Sequence, residues 1–198
     1  MKPLPHARPG AKIGLLGGSF DPPHEGHVHI TQWALRRFRL DEVWWLISPG
    51  NPLKERGPAE MSRRIEAAEA MVPDRKVVVT DIEAHFETRF TADTLREMKR
   101  RYHMARFTWL MGADNLIQFH LWEDWRWIMD NFPVGVLARP GAQVKAGMSP
   151  TARRYRRWRL SRAAASRLPV KKAPAWALLT GAMSPASSTE IRQRGDWP

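Results

Sequence analysis

Short apolar segments alternate with amphipathic segments along most of this chain, and that order limits the folds it can adopt. The apolar runs at 12–16 and 43–47 have the length of buried strands, and turn-forming residues follow each of them. Residues 26–38, between the two runs, place their apolar side chains at helical spacing. Strand, helix and strand in this order predict parallel strands joined by crossover helices. We therefore predict an α/β fold with a mostly parallel sheet and helices on both faces.

The alternation continues toward the carboxyl end of the sequence. Further strands are predicted at 77–82, 107–111, 134–137 and 175–179, and further helices at 60–71, 91–102, 124–129 and 187–194. Thr91 is the predicted N-cap of the helix at 91–102. A chain of 198 residues suits a single domain. We assign that domain to 12–198, after a disordered start at 1–11.

The segment after the first predicted strand, GGSFDPPHEGH, combines features that suit an anion-binding turn. Gly17 and Gly18 let the backbone turn sharply and let its N–H groups approach phosphate oxygens. The two prolines stiffen the residues that follow. A helix then begins, and its N-terminus carries N–H donors and positive partial charge. His24 and His27 are three residues apart, so both imidazoles can reach the same side of this helix start.

The histidines of this segment also raise the alternative of a zinc site. Such sites need three or four protein ligands, and the sequence contains no cysteine. His29 is only two residues from His27 and would face another side of the helix. The phosphate-binding interpretation is therefore favoured, and no metal ligands are assigned.

The net charge of +12 favours polyanionic partners, such as nucleic acid, an anionic membrane or phosphorylated small molecules. Residues 151–172 contain nine basic side chains and no acidic one. That composition is typical of an exposed basic helix or loop, and a nucleic-acid surface is the alternative. No apolar run reaches the ~20 residues of a membrane-spanning helix, and residues 1–10 do not resemble a signal peptide. The absence of cysteine is compatible with a reducing cytoplasm.

GGSFDPPHEGH resembles the G-G-[ST]-F-D-P-x-H-x-G-H signature of the nucleotidylyltransferase superfamily, in the form most similar to its bacterial nicotinate-nucleotide adenylyltransferases. Later segments match further motifs of that family in the same order: FTADTL at 90–95, MGADNL at 111–116, ARPG at 138–141 and SSTEIR at 187–192. SPGNPLK at 48–54 stands in the place of a Pro/Asn-rich loop, although it is shorter and has Leu53 where a histidine is usual. The resemblance covers 12–142 and 175–194, and it implies a Rossmann-like doubly wound fold.

The resemblance implies an enzyme of NAD biosynthesis that transfers AMP from ATP to nicotinate mononucleotide and releases deamido-NAD and pyrophosphate. The attacking phosphate oxygen is already ionised at neutral pH, so neither a general base nor a covalent intermediate is expected. Catalysis would then rest on positioning and on stabilisation of charge. Mg²⁺ would enter with ATP, held mainly by phosphates and water.

The resemblance also implies roles for individual residues. His24 and His27 would donate hydrogen bonds to the α-phosphate and to the departing pyrophosphate. Four residues of the turn would offer backbone N–H groups to the phosphates of ATP: Gly17, Gly18, Ser19 and Phe20. Further contacts to ATP are implied for Asp114, Ser188, Thr189 and Arg192. Contacts to nicotinate mononucleotide are implied for Lys54, Thr91, Trp122 and Glu123. Considered alone, SSTEIR would be an ordinary helix N-cap with Glu190 in the first turn.

The residues implied to contact nicotinate mononucleotide would also select the acceptor. N–H groups at the helix start near Thr91 could meet the carboxylate of the substrate, and Trp122 could stack on its pyridine ring. We expect the carboxylate of Glu123 to point to solvent. The same fold serves nicotinamide-mononucleotide and phosphopantetheine adenylyltransferases, so these activities stay open. A basic nucleic-acid-binding protein is the alternative from another class.

Overall fold

The described residues form one parallel sheet of six strands. We describe the fold from a computed structural model of the chain, which covers residues 2–50, 58–72, 74–138, 141–181, 188–195 and 197, with only the backbone at 189 and 190. The strands are β1 Lys12–Gly18, β2 Glu42–Ile47, β3 Val77–Thr80, β4 Arg106–Gly112, β5 Val134–Ala138 and β6 Trp176–Thr180. Their order is β3-β2-β1-β4-β5-β6, and each neighbouring pair is parallel. The predicted doubly wound topology is confirmed, with the first strand in the middle of the sheet.

Helices connect the strands and cover the sheet. They are α1 Glu25–Arg37, α2 Met61–Met71, α3 Ile82–His85, α4 Thr91–Arg101, α5 Ala113–Gln118, α6 Trp125–Asn131, α7 Ala142–Gly147, α8 Pro150–Arg154 and α9 Ser188–Gln193. Short 3₁₀ segments lie at Phe119–Leu121, Arg156–Trp158 and Ala165–Val170. No helix within the described residues combines the length and the apolar composition needed to cross a membrane.

Two hydrophobic cores show that both faces of the sheet are covered. Trp44 and Trp45 are consecutive in β2, so they point to opposite faces, and both are fully buried. Trp44 belongs to the core that contains Leu95 of α4. Trp45 belongs to the core that contains Phe38, at the end of α1, and Ile65 of α2. Both tryptophans are therefore packing residues of the two cores.

Two local predictions were wrong in detail. The strand predicted at 77–82 ends at Thr80, because the carbonyl of Asp81 accepts hydrogen bonds from the N–H groups of Ala84 and His85 and so starts α3. Thr91 is the first residue of α4, and the N-cap position belongs to Phe90. An apolar run that continues to Ile82 resembles a strand, although local hydrogen bonds end the extended backbone two residues earlier, at Thr80.

The amino-terminal segment differs from the disordered start that we expected for 1–11. The amide of Lys2 donates to the carboxylate of Asp81, and the hydroxyl of Tyr102 donates to the carbonyl of Pro5 at 3.0 Å. The amide of Gly10 donates to the carbonyl of Met104 at 2.7 Å. Residues 2–11 therefore run along the protein and are held by backbone hydrogen bonds, which a composition rich in proline and charge does not reveal.

The basic side chains of the segment 151–172 are exposed, whereas buried residues of the segment anchor it to the protein. All nine of its basic residues are exposed, as expected for a solvated surface. Tyr155 and Leu168 are buried, and the indole N–H of Trp176 in β6 donates to the carbonyl of Tyr155 at 2.8 Å. The segment is therefore packed against the β6 side of the sheet.

Candidate active site

The glycine turn at the end of β1 lies at the edge of the sheet where all the strands have their carboxyl ends. In parallel sheets this edge is where ligands bind. Packing also favours a residue without a side chain at position 17, since a Cβ on Gly17 would lie 2.5 Å from Cη2 of Trp109 in the neighbouring β4. The turn continues through Phe20, which has a φ of 46°. The chain then reverses over Asp21 and Pro22 into α1.

The two predicted catalytic histidines cap the helix that they begin. Nδ1 of His24 accepts a hydrogen bond from the amide of Gly26 at 3.0 Å, and Nδ1 of His27 accepts one from the amide of His24 at 3.2 Å. The centroids of the two rings are 4.0 Å apart. The structure therefore brings the pair together at the N-terminus of α1, as predicted.

These hydrogen bonds determine which nitrogen carries the proton. In both rings Nδ1 accepts, so the neutral tautomer has its proton on Nε2, and Nε2 is the nitrogen that can donate. Burial, reinforced by the neighbouring His24, lowers the pKa of His27 to about 3. His27 is therefore neutral at physiological pH. It offers a hydrogen-bond donor to an anion without carrying a full positive charge.

Aromatic side chains fix the ring of His27 from behind. The ring of Phe20 lies 4.4 Å from His27 and 4.9 Å from Trp45, centroid to centroid, and Phe20 is 1% exposed. The indole N–H of Trp45 donates to the hydroxyl of Thr31 in α1 at 2.7 Å. The side chain of Phe20 is thus a buried support for His27. The sequence interpretation used only its backbone.

Helix α9 lies against the same turn. The hydroxyl of Ser188 donates to the carbonyl of Pro22 at 2.9 Å, and the guanidinium of Arg192 donates to the carbonyl of Asp21. The indole N–H of Trp197 donates to the carboxylate of Asp21 at 2.8 Å. Two residues predicted to contact phosphates, Ser188 and Arg192, are therefore brought beside the histidine pair. Thr189 lies in α9, and its side chain is outside the described residues, as is Ser187.

Arg64 is a site residue that the sequence interpretation missed. Its side chain is 1% exposed, and it donates to the carbonyl of Ser19 in the glycine turn at 2.6 Å. A signal was present in the sequence. Met61, Arg64, Ile65 and Ala68 have the spacing of the buried stripe of a helix, so an arginine among them required a partner inside the protein.

The remaining described residues that are implied for substrate contacts lie on other elements. Asp114, implied for ATP, is exposed in the first turn of α5, directly after β4, and Thr91, implied for the acceptor, begins α4. Trp122 is partly buried, with its ring edge-on to Phe119 at 5.0 Å, and Glu123 is exposed. The exposure of Glu123 agrees with the expectation that its carboxylate points to solvent. Lys54 lies outside the described residues.

Arg96 joins the two elements that carry these acceptor residues. Its guanidinium donates to Asp93 in α4 at 2.7 Å and to Asp124, beside Glu123, at 2.5 Å. It also lies over the ring of Trp127, 4.4 Å from the centroid. This exposed network fixes the start of α4 relative to the Trp122 segment, and periodicity alone did not predict it.

Comparison with known proteins identifies the group to which this site belongs. The sequence profile of the cytidylyltransferase-like family matches residues 15–194, which include the glycine turn, both histidines and α9. The chain belongs to the cytidylyltransferase-like family. Within this family it is 57% identical over 194 residues to a Ruegeria pomeroyi protein named "Probable nicotinate-nucleotide adenylyltransferase", covering 98% of this chain and 91% of that protein. A Cereibacter sphaeroides protein of the same name is 59% identical over 185 residues, covering 93% of this chain and 98% of that protein.

Solved structures of a protein with much lower sequence identity show the same fold. The nicotinic acid mononucleotide adenylyltransferase of Plasmodium falciparum complexed with NaAD superposes with a TM-score of 0.69 at 18% identity, covering 92% of this chain and 83% of that one. The same enzyme complexed with APC gives a TM-score of 0.66. At this identity the likeness establishes the fold of this cytidylyltransferase-like chain.

Proposed function

We propose that this chain is a nicotinate-nucleotide adenylyltransferase that acts in NAD biosynthesis in the cytoplasm. The observation that carries the proposal is the histidine pair at the start of α1, with α9 docked on the same turn. Two proteins that are 57% and 59% identical to this chain over nearly its whole length bear the name of this activity. Their names support the choice of this activity among the related ones.

In the proposed reaction a phosphate oxygen of nicotinate mononucleotide attacks the α-phosphorus of ATP. A new P–O bond forms there, the bond from the α-phosphorus to the α,β-bridging oxygen breaks, and pyrophosphate leaves with the electron pair. The nucleophile is ionised at neutral pH and the leaving group needs no proton. A neutral His27 fits this chemistry, because the step requires donors for growing negative charge and no acid or base.

His24 and His27 would donate from Nε2 to oxygens of the α-phosphate and the departing pyrophosphate. Their Nδ1 atoms are fixed by backbone N–H groups, so little reorganisation is required when charge develops. Ser188, Thr189 and Arg192 would hold the β- and γ-phosphates from the opposite side of the turn. Arg192 already reaches the turn through the carbonyl of Asp21, and a phosphate would compete for the same guanidinium.

Mg²⁺ is the metal that we propose for this reaction. Among the described residues no group of three His, Cys, Asp or Glu side chains converges as a ligand cluster. A cation that arrives on ATP can be held chiefly by phosphate and water oxygens and does not need such a cluster. Bound in this way, the cation would neutralise charge on the phosphates.

The acceptor would be selected near the start of α4. We propose that N–H groups of its first turn meet the carboxylate of nicotinate mononucleotide, with Trp122 against the pyridine ring. The exposed position of Glu123 supports this, because a carboxylate directed inward would repel that of the substrate.

The test is pyrophosphate release from ATP with nicotinate mononucleotide, nicotinamide mononucleotide or phosphopantetheine as the acceptor. We expect kcat/KM for nicotinate mononucleotide to exceed that for the amide by about tenfold or more, because one hydrogen bond to a charged group contributes ~1.5–3 kcal/mol. Equal values, or a preference for another acceptor, would reassign the chain to a sister activity.

A further inference from the structure

Arg64 is a buried cation that ends among backbone carbonyls beneath the glycine turn. Its Nη1 donates to the carbonyl oxygens of Ser19 at 2.6 Å and Ser48 at 2.8 Å, and its Nε donates to that of Ala59 at 2.7 Å. Ser48 follows β2, and Ala59 precedes α2. One side chain therefore connects the phosphate-binding turn to both flanks of the β2–α2 connection.

The geometry of these bonds requires a guanidinium. Arginine presents five N–H donors in a rigid plane, whereas the ammonium of lysine is a compact point charge on a flexible stem. Burial lowers the pKa of Arg64, and the negative charge of Asp21 opposes that shift. Asp21 also accepts the amide of Ala59 at 3.2 Å, so Arg64 and Asp21 hold the same residue from two sides.

The bond to Ser19 has a consequence on the far side of its peptide unit. The carbonyl of Ser19 and the N–H of Phe20 belong to one planar trans peptide, so the two groups point in opposite directions. With the carbonyl held by Arg64, the N–H of Phe20 is directed away from Arg64. Within the described part of the chain this N–H makes no hydrogen bond.

We propose that Arg64 is a positioning residue: it fixes the orientation of the Ser19–Phe20 peptide, whose Phe20 N–H is one of the phosphate contacts that the resemblance implies. The inference rests on the proposed function, since it explains how a phosphate contact of that site is held in place. Arg64 does not touch the substrate in this arrangement. It acts through one peptide plane, and the orientation of that plane depends on the fork of the guanidinium.

Arg64→Lys is the variant that tests this, because it keeps the charge and removes the fork. Arg75→Lys is the matched control, since Arg75 is exposed just beyond the same helix. We expect kcat to fall about 100-fold in Arg64→Lys, the size of effect that a misplacement of about 1 Å produces, and to stay unchanged in the control. Thermal unfolding of each variant allows kcat to be expressed per folded enzyme. A normal kcat per folded molecule of Arg64→Lys would overturn the proposal, because a purely structural role predicts that result.

A second measurement keeps the proposal testable if the variant does not fold. In ¹⁵N-labelled wild-type protein, we expect pyrophosphate to shift the amide resonance of Phe20 as a new hydrogen bond forms. No shift at Phe20, while the resonances of His24 and His27 respond, would overturn the role of its N–H. If wild-type protein released no pyrophosphate with any acceptor, the proposed function would fail. Comparison of the Phe20 shift on pyrophosphate binding between wild-type protein and Arg64→Lys would still test the role of Arg64, and an equal shift in both would overturn it.

Discussion

In the proposed mechanism, the histidines at the start of α1 combine two roles that different residues usually have. As caps they accept hydrogen bonds from backbone N–H groups at Nδ1. Serine, threonine or aspartate commonly occupies such a capping position. As donors they retain an Nε2–H that a capping carboxylate or hydroxyl could not place at the same distance. In the proposed mechanism each imidazole is thus both a cap of the helix and a fixed donor for a phosphate.

This double role allows folding and chemistry to be separated by substitution. We predict that His24→Ala and His27→Ala each lower kcat by about 10²–10³-fold, the usual loss for one removed transition-state donor. Stability should fall by only ~1 kcal/mol for a lost cap. Pyrophosphate release and urea unfolding measure the two effects, and near-normal turnover in both folded variants would contradict the mechanism.

Glu83 gives a prediction about pH and stability. Burial raises the pKa of this side chain to about 7 from 4.5, so between these values the folded protein holds a proton that the unfolded chain has lost. Stability therefore decreases as pH rises through this window. We predict that Glu83→Gln increases the free energy of unfolding at pH 8 by on the order of 2–3 kcal/mol, with little change at pH 4.5.

Urea titrations at the two pH values decide the matter, with Glu87→Gln as an exposed control on the same segment. An equal gain at both pH values would point to packing and not to ionisation. His27 acts in the opposite sense, because its pKa is lowered to about 3 from 6.5. Its contribution to stability is complete above pH 6.5 and is lost as the pH falls toward 3.

At the scale of elements, the contact between β1 and β4 explains one glycine of the turn. A Cβ on Gly17 would lie 2.5 Å from Cη2 of Trp109. We predict that Gly17→Ala destabilises the protein by about 1–3 kcal/mol through overpacking. Trp109→Phe removes the clashing atom, so the double variant should lose less than the sum of the two single variants. Additive losses in denaturant unfolding would show that the indole can move aside.

The elements themselves were largely predictable, because buried parallel strands and amphipathic helices leave strong periodic signals. The resemblance to the nucleotidylyltransferase superfamily was confirmed by the family comparison, and the histidine pair was placed correctly. Contacts between distant segments were not predictable. Periodicity indicates which face of an element is buried, but it does not identify the residues that pack against that face. The contact of Arg64 with Ser19 and the contact of Trp109 with Gly17 are therefore seen only in the structure.

At the scale of the whole molecule, the uneven distribution of charge leads to a prediction about the basic segment 151–172. Its exposed arginines lie outside the described site, whereas Arg159 lies 5.3 Å from the ring centroid of Trp176 and should be left in place. We predict that the combined change of Arg153, Arg156, Arg157 and Arg162 to Gln leaves kcat at saturating substrate within about twofold. The dependence of kcat/KM on salt should weaken, because the charge that attracts anionic substrates is reduced. A collapse of kcat would place the segment in the catalytic machinery.

The strand order has a consequence for how the protein is made. Of the six described strands, β1 leaves the ribosome first and later lies in the centre of the sheet, flanked by β2 and β4. β2 is synthesised soon after β1, whereas β4 begins only at Arg106. While the β3 region is synthesised, the edge of β1 that will pair with β4 therefore has no partner strand, and β1 is nearly all apolar. An unpaired apolar edge of this kind invites wrong pairing with other chains. The nascent chain is therefore most in need of chaperone protection between the emergence of β1 and that of β4.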